Sequence, residues 1–95
     1  MSTVRVKDKD YPIAVTMWAL ITFKREKGKP VSELDPEDIE GFTYYSWLCV
    51  KGACMRDSIP FDVSFEDFQY LVVGDPSEAL LVSKIEEQEK KKEKS

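Results

Sequence analysis

A chain of 95 residues, 42% of them hydrophobic and 34% charged, has the balance of one small globular domain and is too short for two. Its 18 acids outweigh its 14 bases, and the formal charge of −4 repels phosphate backbones and disfavours general nucleic-acid binding. Histidine is absent, which excludes a His-based catalytic triad, a His-ligated metal centre and an imidazole pH switch.

In chain order, Val4 and Val6 alternate with Arg5 and Lys7, the period of a half-buried strand. Asp8-Lys9-Asp10 suits a tight turn, after which Tyr11-Pro12-Ile13-Ala14-Val15 resumes with bulky and β-branched residues. Pro12 cannot donate to a ladder, so the second strand sits at an edge or starts there. The pattern predicts a β-hairpin over residues 3–15.

Thr16 is a candidate N-cap for a helix over 17–27. Met17, Leu20 and Ile21 define its apolar face, widened by Trp18, and packing must hold so short a helix. Gly28 stops it, with Lys24, Arg25 and Lys27 at the end where cations suit the dipole. A connection follows, with one helical turn near 32–34. Asp35-Pro36-Glu37-Asp38 then predicts a strong helix start, with Asp35 as cap, and a second helix to about Arg56. Its stripe is Ile39, Phe42, Ser46, Cys49 and Ala53, broadened by Tyr45, Leu48 and Val50. Gly41 and Gly52 each cost about 1 kcal/mol inside a helix and mark either a close backbone approach or simple tolerance.

Asp57-Ser58-Ile59-Pro60 breaks that helix, and Ser64, with Asp67 three residues on, caps a third. Phe65, Phe68, Leu71 and Val72 line one side of it up to a stop at Gly74. Asp75-Pro76 repeats the helix-start signal, so a fourth helix from Ala79 to about Glu89 is predicted, anchored by Leu80, Leu81, Val82 and Ile85. The expectation is therefore a mainly α, α+β fold: an N-terminal β-hairpin followed by three to four short helices. Residues 1–88 form one domain, and 89–95, without an apolar residue, form a charged disordered tail.

Little in the chain suggests catalysis. The four glycines are scattered singly and form no phosphate-cradling loop. Asp35, Glu37, Asp38 and Glu40, like Asp62, Glu66 and Asp67, are explained by favourable charge at helix starts. On one helix Cys49 and Cys54 lie about 7.5 Å apart along the axis and point about 140° apart, which disfavours a mutual disulfide. No second cysteine pair completes a zinc site, and no histidine activates a thiol. Two reduced cysteines, an N-terminus without an apolar signal core and no run of membrane-spanning length point to a soluble cytoplasmic protein. No enzyme activity, cofactor or metal is expected. The basic cluster Lys24, Arg25, Lys27 and Lys29, broken by Glu26, reads as a solvated helix end. The alternative is a small helical DNA-associated or regulatory protein of a mobile element.

The informative surplus is aromatic. Eleven rings are more than so small a core encloses, with Phe42, Phe65 and Phe68 the best core candidates by spacing. Trp18, Phe23, Tyr44, Tyr45 and Trp47 are the candidate partner-binding residues, since Tyr and Trp concentrate where binding energy is high. For Trp18, Tyr44 and Trp47, packing in the core is the competing use.

The order of these pieces carries a resemblance. A hairpin ending in Tyr11-Pro12-Ile13-Ala14-Val15 leads into Thr16-Met17-Trp18-Ala19-Leu20, and a charged helix end closes in Lys27-Gly28-Lys29-Pro30-Val31-Ser32-Glu33-Leu34. A helix rich in Tyr, Trp and Leu follows, and Val63-Ser64-Phe65-Glu66-Asp67-Phe68 begins the third. Over residues 3–73 this resembles the tail assembly chaperones of long-tailed bacteriophages and prophages. The resemblance implies a non-enzymatic protein of the bacterial cytoplasm that coats the helical tape measure protein, brings tail tube subunits to it and self-associates. It assigns no fixed contact role to any residue.

Overall fold

The hairpin is built as its alternation requires, but its loop falls one residue earlier than predicted. In the computed structural model, which describes residues 3–35 and 37–74, β1 (Thr3–Val6) pairs antiparallel with β2 (Lys9–Pro12). Lys7 and Asp8 form the connection, with Lys7 at φ 61°. Lys9 and Asp10 belong to β2, because Asp10 lies opposite Arg5 and their side chains form an ion pair at 3.1 Å on the outer face. Val4, Val6 and Tyr11 face inward.

The hairpin also has a third neighbour. Leu71 accepts from the Lys7 N–H at 2.7 Å, Val73 donates to the Arg5 carbonyl at 2.8 Å, and Val72 bridges Val6 antiparallel. This places β1 in the middle and leaves β2 as an edge. Since the Arg5 carbonyl turns away from β2, the Arg5–Asp10 and Thr3–Pro12 pairs are the non-hydrogen-bonded ones. The N–H that Pro12 lacks would have pointed outward, so the edge loses nothing.

Helix α1 (Met17–Lys27) has the predicted bounds and caps. The Thr16 hydroxyl accepts from the Ala19 N–H, and Gly28, at φ 75°, donates to the Lys24 carbonyl. Its orientation is not the predicted one. Ala19 and Phe23 are the buried residues, and Met17 and Ile21 point outward. One 3-10 turn (Val31–Glu33) leads to α2 (Ile39–Arg56).

The cap of α2 is Asp38 and not Asp35. Asp38 accepts from the Gly41 N–H at 2.9 Å, while Asp35 accepts from the Glu37 N–H at 2.9 Å. The two aspartates cap successive turns, and the helix starts after the second. Its C-terminus closes in a Schellman motif, with Ile59 donating to Cys54, Ser58 donating to Met55, and Ser58 at φ 57°. Helix α3 (Phe65–Leu71) is capped by Ser64 as predicted, but it stops at Leu71, because Val72 turns into the bridge with β1. The fourth helix and the charged tail, residues 75–95, lie outside the described residues.

The chain is thus a mainly helical α+β domain: a two-stranded hairpin followed by three helices, with α2 at the centre. Tyr45, Ser46, Leu48, Cys49, Val50, Ala53 and Cys54 are all buried along α2. The buried Ser46 hydroxyl is satisfied by the Phe42 carbonyl at 2.8 Å. Gly52 marks a close approach: a Cβ there would lie 2.6 Å from Thr16 Oγ1 and 3.2 Å from Trp18 Cε3. Glycine at 52 is what lets the start of α1 rest on the α2 backbone. Among the described residues no helix is long and apolar enough to cross a membrane.

Candidate protein interface

The five predicted partner-binding rings separate into three environments. Phe23 (0% exposed) and Tyr45 (6%) are core, packed edge-to-face at 5.7 Å, so the fold itself uses both. Burial pushes the Tyr45 phenol well above its ordinary pKa, the neighbouring Cys49 adding to the effect.

Tyr44 and Trp47 are half-buried and belong to an aromatic array between α2 and α3. Tyr44 meets Phe65 edge-to-face at 5.1 Å and lies 5.9 Å from Trp47 with the two rings tilted by 30°. Lys27 Nζ lies 4.8 Å above the Tyr44 ring and Lys51 Nζ 4.9 Å above Trp47, both within cation–π range. The Trp47 indole N–H donates to the Val63 carbonyl at 2.9 Å, which ties α2 to the segment before α3. Burial, followed by the negative charge of Glu26, raises the Tyr44 pKa. These two rings keep some surface, but their polar and ring contacts are largely internal.

Trp18 is the one predicted ring at the rim, 37% exposed, with its six-membered edge over Gly52. Beside it lie two residues that ring counting missed. Met17 is 71% exposed and Ile21 53%, and, four positions apart, they stand on one face of α1. Next to Ile21 a groove of about 330 Å³ opens between α1 and the 3-10 turn, lined by Leu20, Ile21, Lys24, Pro30, Val31 and Ser32. Lys24 and Arg25, also exposed, continue the same side of the helix, so this face is apolar at its start and cationic at its end.

The signal for this surface was present in the spacing of 17, 20 and 21. That spacing identifies a stripe without saying whether the stripe faces in. A second stripe at Ala19 and Phe23 was available to the core, and the small Ala19 lets α1 approach closely there. A smaller cleft of about 180 Å³ is lined by Phe23, Leu34 and Gly41 together with the charged Lys27, Lys29, Asp38 and Glu40.

Both thiols are buried, and burial together with Asp57 raises the Cys54 pKa, the reverse of an activated nucleophile. Among the described residues no group of three or more His, Cys, Asp or Glu side chains could hold a metal ion. No protein-family model, curated protein or solved structure matches the chain.

Proposed function

We propose that this protein is a non-enzymatic tail assembly chaperone of a long-tailed bacteriophage or prophage, which binds the tape measure protein and tail tube subunits while the tail is built. The observation that carries this reading is the outward apolar face of α1, formed by Met17, Trp18 and Ile21 with the groove beside them. Apolar residues at one side of an exposed helix, next to a shallow groove, suit the stripe of an amphipathic partner helix. The formal charge of −4 helps keep an otherwise aggregation-prone complex in solution. The order of hairpin and helices over residues 3–73 supplies the phage-tail part of the reading.

Co-expression with the tape measure and tail tube proteins of the same locus tests it. The wild-type chain co-purifies with the tape measure protein, and Ile21→Asp reduces the recovered complex by at least about tenfold, as loss of a buried anchor does. Recovery of neither partner overturns the reading. One observation favours the alternative of a DNA-associated protein: Lys24, Arg25 and Lys27 stand exposed at one helix end. A shift of DNA mobility that weakens with added salt would replace the chaperone reading with that one.

A further inference from the structure

We infer that the cleft shared by the end of α1 and the start of α2 is a site for a small zwitterion, of which a free α-amino acid is the simplest kind. The two helix ends bring opposite charges to it. Lys27 and Lys29 flank Gly28, the C-cap of α1, and Asp38 and Glu40 flank Ile39, the first residue of α2. Phe23 and Leu34 supply the apolar part of the lining. The volume of about 180 Å³ lies below the roughly 300–1,000 Å³ of pockets for drug-sized molecules, so the occupant is of amino-acid size.

The four charges find no counter-charge within the molecule. Among the described residues the ion pairs are Arg5–Asp10 and Arg56–Asp57, so none of the four joins one, although they line a single cleft. Two of them are held in place. Lys27 Nζ rests 4.8 Å above the Tyr44 ring, and Asp38 Oδ1 accepts from the Gly41 N–H as the cap of α2, while no described residue donates to Asp38 Oδ2. Lys29 and Asp38 are half-buried, so each has given up part of its hydration without gaining a partner of opposite sign.

Two cations and two carboxylates leave the lining without net charge, and this decides the class of ligand. A simple anion drawn to the lysines meets Asp38 and Glu40, and a simple cation drawn to the carboxylates meets Lys27 and Lys29. A molecule with an ammonium and a carboxylate on one carbon complements both pairs at once.

The inference stands apart from the tail-assembly reading, which co-purification tests without reference to this cleft. Titration of the full chain, followed by proton–nitrogen correlation NMR, is the experiment. L-alanine is the probe, with propionate and ethylammonium as its two halves. Alanine shifts the amide signals of Lys29, Leu34 and Gly41 and saturates with a dissociation constant of about 1 mM, and each half binds at least about tenfold more weakly. Lys29→Gln and Glu40→Gln each weaken alanine binding at least about threefold, the loss expected of one partly exposed ion pair. Thermal melting at the wild-type temperature verifies that both variants fold. No saturable shift by about 50 mM alanine overturns the inference. So does propionate or ethylammonium binding as tightly as alanine, a set of shifts confined to residues outside the cleft, or glutamine variants that bind like the wild type.

Discussion

Helices α1 and α2 are both rich in apolar residues, yet the domain treats them in opposite ways. Nine residues of α2 are buried, Gly41 and the run from Tyr45 to Cys54 apart from Trp47 and Lys51 among them. Of the eleven residues of α1, only Ala19 and Phe23 are buried. Position explains the difference. The hairpin, α1 and α3 all pack against α2, so apolar residues around much of its circumference find partners. Among the described residues, helix α1 packs on α2 and touches the 3-10 turn, and Met17, Trp18 and Ile21 are left exposed. A helix with more apolar residues than packed sides shows its surplus as surface, and the surplus is where function is to be sought.

The sharpest way to break this contrast is to truncate one residue from each side of α1. Phe23→Ala is expected to cost about 3–5 kcal/mol, since it removes a fully buried ring that packs on Tyr45. Ile21→Ala, two residues earlier and on the outward side, is expected to change stability by less than about 0.5 kcal/mol. Urea denaturation of the two variants measures both. Equal losses would mean that the outer face of α1 is packed after all.

How much of this was legible in the sequence depends on what each signal encodes. The bounds of α1 were readable because Thr16 and Gly28 act locally, through one side-chain acceptor and one left-handed residue. Ser46, Cys49 and Ala53 were readable as core because α2 has partners around it. The inward side of α1 was not, because periodicity defines a direction without a sign, and Met17–Leu20–Ile21 competes with Ala19–Phe23. Ring type misled for Phe23 and Tyr45, since aromatic side chains serve cores and interfaces equally well. The strand-like path at 71–73 rests on a pair of backbone hydrogen bonds with β1, for which side-chain pattern offers no clue.

A titration extends the comparison to the α2 interior. The folded-state pKa of Tyr45 is raised, so the unfolded chain loses the phenolic proton first. The corresponding stability is fully present below about pH 10 and falls above it by as much as about 1.4 kcal/mol per pH unit, until the folded pKa is reached. Tyr45→Phe is expected to flatten that decline, which denaturation at a series of alkaline pH values reads directly.

The smallest effect concerns how the two helices end. Helix α1 closes on Gly28 at φ 75°, whereas α2 closes on Ser58 at φ 57°, a conformation that suits glycine better. Ser58→Gly is expected to stabilise the domain by about 0.5–1 kcal/mol, as a small rise in thermal midpoint. No gain would show that the Ser58 side chain offsets its own backbone strain.

The clasp of residues 71–73 on β1 has a consequence for biosynthesis. On the ribosome the amino-terminal strand emerges first, but the segment that occupies its open side is made about seventy residues later. Until then the nascent hairpin exposes unpaired amides to other chains, and synthesis of residues 71–73 is what withdraws them.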